Sequence, residues 1–256
     1  MADWNPQLYT RFEDERTRPA RDLLMAVPLS EARRVFDLGC GPGNSTQLLA
    51  ARYPGARLTG VDSSRAMLES ARERLPQAEF VGGDLRDWAP PEAADLLFSN
   101  AVFQWVPDHA AVLARLAQTL APGGVLAVQM PDNLGEPSHV AMREAAVDGP
   151  WKNKLEGALG ARQVLPPPGE YYDLLRPLCA RVDVWRTAYQ HPLAGLPAIV
   201  EWLKSTGLRP FLEPLDEDER EAFLVNYRSR LAFHYPARVD GTVLLAFPRL
   251  FIVAQR

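Results

Sequence analysis

The run VFDLGCGPG at residues 35–43 constrains this chain most, because an apolar strand breaks there into a turn with glycine at every second position, Gly39, Gly41 and Gly43. Glycine lacks a Cβ and tolerates positive φ, so such a turn leaves a bare backbone floor that a flat ligand can approach closely. An acid, Asp37, is placed at the strand's end.

Periodicity after the turn predicts a repeating architecture. Strands are expected at 34–38, 57–61, 79–81, 94–99 and 125–130, and helices at 44–53, 64–74 and 109–120. Strands separated by helices pair in parallel, and five such units in about 130 residues predict a doubly wound α/β sheet. Pro122, Gly123 and Gly124 are expected to close the last of these helices. Residues 4–27, rich in charge and aromatic side chains, are expected to be helical, with Pro19 breaking the helix or opening a second one.

Beyond Met130 the rhythm changes. Residues 132–181 and 190–242 read as helical cap insertions, interrupted by glycines and by the prolines at 166–168. A strand is expected at 182–189, helices at 196–205 and 217–231, and a last strand within 243–256, where Pro248 predicts a bulge or an edge position. The 256 residues are thus expected to form one domain: a helical lid (1–30), a cofactor-binding half (31–131), the cap, and the terminal strand (243–256).

Composition narrows the partners. A net charge of −4 supplies no basic field for nucleic acid. Two distant cysteines, no leader and no long apolar segment predict a reduced, cytoplasmic protein off the membrane. The four histidines are scattered, so no metal site is expected, and the absence of heptads predicts a monomer.

The glycine spacing selects among nucleotide ligands. In a dinucleotide fold the pattern is Gly-x-Gly-x-x-Gly, with the helix N-terminus receiving a pyrophosphate. Here the third glycine comes one residue early, Asn44 stands where the last glycine belongs, and no Lys-Ser/Thr pair follows. A phosphate-free nucleoside fits better. Asp62, about twenty residues on, suits the two ribose hydroxyls, and Asp84 after the third strand suits an adenine amino group.

These elements, DLGCGPG (37–43), GVD (60–62), GDL (83–85) and LAPGG (120–124), resemble the class I S-adenosylmethionine-dependent methyltransferases. The resemblance implies a Rossmann-like sheet of seven strands with an antiparallel last strand. It further implies Gly39, Gly41 and Gly43 beneath S-adenosyl-L-methionine, Asp62 on its ribose, Asp84 and Leu85 at its adenine, and Asp37 facing its ammonium group. Tyr9, Arg16, Ser63, Met67, Asn100, Ala101 and Trp105 complete the expected cofactor set, Tyr9 and Arg16 folding over with Trp105 to exclude water.

The acceptor is read from what is missing. No Asn-Pro-Pro-Tyr motif follows strand four, and no cysteine, lysine or general base stands out there. An acceptor that is already an anion, such as a carboxylate, needs no deprotonation, so positioning carries the catalysis. Arginine, tyrosine and tryptophan are the side chains that recognise carboxylates from an apolar wall. Candidates are Arg11, Tyr171, Tyr172, Tyr189, Trp202, Arg209, Tyr227, Arg228 and Arg249.

The segments WNPQLYTRF (4–12), SNAVFQW (99–105), YYD (171–173), VWRT (184–187), TGLRP (206–210) and LAFPRLFIV (245–253) carry a narrower resemblance, to the bacterial trans-aconitate 2-methyltransferase family. That resemblance implies monomethyl esterification of a small polycarboxylate. A carrier-bound acyl carboxylate as acceptor, a nicotinamide-dependent dehydrogenase, and a non-catalytic adenosyl-nucleoside sensor are the competing readings.

Overall fold

The structure, a computed structural model, describes residues 13–204 and 206–256, and of residues 13–16 the backbone only. The strands β1 (Arg34–Leu38), β2 (Arg57–Asp62), β3 (Glu79–Gly82), β4 (Ala94–Asn100), β5 (Leu120–Pro131), β6 (Arg181–Leu193) and β7 (Val243–Gln255) form one sheet in the order β3-β2-β1-β4-β5-β7-β6. The first five pair in parallel, with Val35 opposite both Leu58 and Leu96, Val61 opposite Val81, and Leu97 opposite Leu126. β1 and β4 are buried almost throughout, as parallel strands covered on both faces must be. The chain winds outward from β1 to β3 and then returns to β4. The crevice between β1 and β4 is therefore the topological switch point, where open α/β sheets bind ligands.

Helices α1 (Glu13–Ala26), α2 (Asn44–Arg52), α3 (Arg65–Arg74) and α4 (His109–Gln118) accompany this half. Each buries an apolar stripe: Leu49 on α2, Met67, Leu68 and Ala71 on α3, and Val112, Leu113 and Leu116 on α4. Pro19 neither breaks nor starts α1, which runs straight through it. The helix survives the lost hydrogen bond because Ala20, Leu23 and Leu24 are buried where α1 packs on α2 and β5.

Two further proline signals are overridden by the sheet. Pro122, Gly123 and Gly124 lie inside β5, where the ladder slips from Ala94 opposite Leu120 to Leu96 opposite Val125. The glycines make a bulge, not a helix stop. Gly123 adopts φ +77°, its N–H donates to the Arg256 carbonyl, and the Gly124 carbonyl accepts from the Arg256 N–H. At the other end of β5 the Asp132 N–H donates to the Pro248 carbonyl, so β7 runs antiparallel. β7 lies between β5 and β6, so of the two positions expected of Pro248, a bulge or a sheet edge, the edge is excluded. Its carbonyl keeps a partner although its nitrogen has no hydrogen to give.

The chain divides into two compact units. The first holds the described residues up to Pro131 with Pro166–Arg186 and Leu250–Arg256. The second holds Asp132–Leu165 and Thr187–Arg249. Helix α5 (Pro137–Val147), α6 (Glu156–Leu159), α8 (Gly195–Lys204), α9 (Arg209–Leu212) and α10 (Glu217–Leu231) fall in the second unit, and α7 (Pro168–Leu175) falls in the first. In the second unit Phe223 stacks on Phe211 and Tyr227 and meets Trp151 edge-on, while α10 packs against α5 and α8. Among the described residues no helix is long and apolar enough to cross a membrane.

At the switch point the fully buried Ser99 donates from Oγ to the Leu38 carbonyl at 2.9 Å, tying the ends of β4 and β1 together. Ser99→Ala is expected to lower stability by about 1–2 kcal/mol, read as a lower urea midpoint with an unchanged slope.

Candidate functional site

The glycine turn leaves β1 with φ of +68° at Gly39, +53° at Gly41 and +89° at Gly43. The N–H groups of Gly39 and Cys40 both donate to the Val61 carbonyl, which fastens the turn to β2. The glycines do different work. A Cβ on Gly39 would lie 2.2 Å from Val102 Cγ2, whereas one on Gly41 would meet nothing within 4 Å and points into open space. Gly43 caps the start of α2.

Asp62, at the end of β2, accepts from the Gly41 N–H at 2.9 Å through Oδ2 and from the Ser64 N–H at 2.8 Å through Oδ1. Ser64 in turn caps α3 by accepting from the Met67 N–H. Asp62 therefore joins two strand ends, and the helix cap is Ser64.

A cavity of about 430 Å³ opens over the turn, within the range of small-ligand clefts. The turn and β2 contribute Gly39, Gly41, Asp62, Ser63 and Met67 to its lining. The loop after β3 adds Asp84 and Leu85, and the end of β4 adds Asn100, Ala101 and Trp105. All ten stand among the fourteen expected cofactor residues. Asp37 and Gly43 are not on the lining, Tyr9 lies outside the described residues, and Arg16 is described by its backbone alone. Lining residues that the sequence reading missed include Gly83, Arg86 and Val102.

Arg86 changes the character of Asp84. Its guanidinium grips the Asp84 carboxylate, with Nη2 to Oδ2 at 2.5 Å, and this bond, aided by the Arg86 N–H, holds the Asp84 pKa below the ordinary carboxylate range. Arg115 of α4 donates to the carbonyls of Leu85 and Trp88, bracing the loop from behind. The Asp-x-Arg spacing was the available signal for this pair. For Val102 there was none, since it reaches Gly39 only across the fold.

Ala101 carries local strain. Its φ of +61° costs a residue with a Cβ about 1 kcal/mol or more. Two bonds hold it: its N–H donates to the Gln129 carbonyl, and its carbonyl accepts from Gln104 Nε2. Beside it, the Asn100 Oδ1 atom is buried with no hydrogen-bond partner among the described residues. An orphaned acceptor in a cavity wall fits a ligand that brings its own donor.

Asp37 lies behind this surface, fully buried, with Oδ2 accepting both the Ser45 and Thr46 hydroxyls at 2.7 and 2.6 Å. Burial pushes its pKa up to about 6 against the opposing pull of those two hydroxyls. Burial also raises the Cys40 thiol, so Cys40 is no nucleophile.

The expected acceptor residues are distributed. In the first unit Tyr171 is buried with its hydroxyl 2.6 Å from His109 Nε2, and Tyr172 is exposed. In the second, Tyr189 and Trp202 are buried against His191, and the Tyr227 hydroxyl donates to the Ser138 carbonyl. Arg209 pairs with Glu213, and the Arg228 side chain donates to the carbonyl of Leu224 on its own helix. Arg249 is 3% exposed, its guanidinium carbon 4.9 Å from the Phe247 ring centroid and 6.0 Å from that of Tyr189. Arg11 lies outside the described residues.

The cavity therefore suits a flat nucleoside that carries hydroxyls and amino groups and no phosphate. Among the described residues its lining has a bare glycine floor, two carboxylates, no lysine, and one arginine already gripped by Asp84. With this sheet order and antiparallel last strand, it defines a Rossmann-like methyltransferase. Comparison with known proteins agrees. The methyltransferase domain family matches residues 35–124. The fold resembles that of the YcgJ protein from Bacillus subtilis, with a TM-score of 0.61 at 13% identity, covering 93% of this chain and 98% of that one. It also resembles phosphoethanolamine N-methyltransferase 2 of Haemonchus contortus in complex with S-adenosyl-L-methionine, with a TM-score of 0.55 at 18% identity, covering 93% and 52%. In sequence the chain is 59% identical over 254 residues, 99% of each chain, to trans-aconitate 2-methyltransferase of Rhodopseudomonas palustris strain BisB18. The chain belongs to the trans-aconitate 2-methyltransferase family.

Asp37 yields a pH prediction. Its folded pKa of about 6 exceeds its unfolded value, so the folded state holds a proton that the unfolded state has lost. Its contribution to stability is full below the unfolded value of about 4 and is lost as pH rises through about 6. Asp37→Asn is expected to remove this slope, gaining stability relative to the parent protein between about pH 4 and 6.5, as urea unfolding across that range measures.

Proposed function

We propose that this protein transfers the methyl group of S-adenosyl-L-methionine to a carboxylate of trans-aconitate, giving its monomethyl ester and S-adenosyl-L-homocysteine. The observation that carries the acceptor is the 59% identity, over essentially the whole length of both chains, to a trans-aconitate 2-methyltransferase. The phosphate-free character of the cavity supports the donor.

The reaction needs little from the protein beyond placement. A carboxylate oxygen lone pair attacks the methyl carbon in line, the carbon–sulfur bond breaks, and its electrons stay on sulfur. No proton moves, so the step asks for no general base. Asp62 is assigned to the ribose hydroxyls, Leu85 and Asp84 to the adenine, and Asn100 Oδ1 to a donor on the methionine end. Asp37 is assigned a positioning role, since it lies beneath the lining and anchors the first turn of α2. For the acceptor, Arg249 is assigned because it is buried beside Tyr189, whereas Arg228 is exposed. The chain is read as one methyltransferase domain acting in the cytoplasm on a small molecule, as a monomer.

Incubation with S-adenosyl-L-methionine and a panel of tricarboxylates and dicarboxylates is expected to give a monomethyl ester of trans-aconitate by mass spectrometry. Failure to methylate any member of the panel would refute the acceptor. Asp62→Ala is expected to raise the dissociation constant for S-adenosyl-L-methionine about tenfold or more, and an unchanged value by calorimetry would remove the ribose assignment.

A further inference from the structure

Immediately after β5, at the carboxyl end of the strand where open α/β sheets present their ligands, the segment from Asp132 to Gly135 is braced by two arginines. Arg162 Nη1 donates to Asn133 Oδ1 at 3.1 Å, and Arg143 Nη2 donates to the Leu134 carbonyl at 2.8 Å. Asn133 is 1% exposed. Its oxygen is turned to the guanidinium, which leaves its amide nitrogen Nδ2 as a buried donor with no acceptor among the described residues. An orphaned donor beside a partly buried cation is the arrangement that an incoming carboxylate completes.

We propose that Arg162 and Asn133 form a carboxylate-binding subsite in the second unit, which receives one carboxylate of the polycarboxylate acceptor. The proposal rests on the acceptor reading given above. Charge supports it. Burial pulls the Arg162 pKa down to about 10; the attraction of Asp132 opposes this, and the nearby Arg143 adds to it. A carboxylate accepting from Asn133 Nδ2 would set a negative charge beside Arg162 and Arg143. The neighbouring His139 stays neutral and does not compete as a charge, because burial, Arg162 and Arg143 together hold its pKa near 3. The alternative is a purely structural arginine that steadies the loop through Asn133.

Asn133→Asp separates the two. The substitution is isosteric, places a carboxylate where Nδ2 now stands, pairs it with Arg162, and repels an anionic substrate. The KM for trans-aconitate is expected to rise about tenfold or more, with the dissociation constant of S-adenosyl-L-methionine unchanged and the melting temperature equal or higher. Arg162→Gln is expected to raise the same KM, and if it fails to fold, Asn133→Asp decides alone. A structural arginine predicts an unchanged KM in Asn133→Asp, and that result would overturn the subsite. Parent enzyme that methylates no polycarboxylate would instead refute the acceptor reading and take the subsite with it.

Discussion

The two backbone N–H groups accepted by the Asp62 carboxylate are the constraint on which the ligand end of the sheet depends. One comes from the glycine turn and one from the start of α3, so a single side chain sets the turn after β1 against the helix after β2. The turn's own geometry is possible only because Gly39 has no Cβ to meet Val102. Asp37 completes the arrangement from below by anchoring Ser45 and Thr46 of α2 to β1. Floor, wall and first helix turn are thereby held before any ligand arrives, and such preorganisation is what a reaction governed by placement requires.

That rigidity is built from costly elements. Asp37 is a buried carboxylate with a raised pKa, Ala101 holds a left-handed backbone, and Asn100 buries an oxygen with no partner among the described residues. Each lowers stability on its own account, and each lies on or directly beneath one cavity. Strain and unsatisfied polarity concentrate where a ligand relieves them. In the second unit Arg249 is buried, Arg162 and Arg209 are partly buried, and Arg228 is exposed.

Much of the cofactor half was legible in the sequence because its signals are local. β1 to β4 and the helices between them follow from runs of apolar residues and their period, and the observed bounds differ from the expected ones by a residue or so. Two proline signals misled, and a third did so in part. Pro19 lies within α1, the Pro122 run became a bulge in β5, and Pro248 sits in an interior strand. In each case a lost local hydrogen bond was outweighed by tertiary partners: a buried helix face, the carbonyl and N–H of Arg256, and the N–H of Asp132. Arg86 on Asp84 lay within reach of the sequence, two residues away, and was overlooked.

By itself the sequence determined the class of ligand, since the spacing of Gly39, Gly41 and Gly43 and the acids at successive strand ends are properties of short segments with short-range geometry. It also determined the parallel sheet, because periodicity and element order leave few topologies. Only the tertiary structure decided which arginines are buried. Arg162, Arg209, Arg228 and Arg249 are alike as letters, and burial depends on what the rest of the chain packs around each guanidinium. The same holds for Asn133 and Asn100, whose orphaned atoms become meaningful only where folding removes them from water.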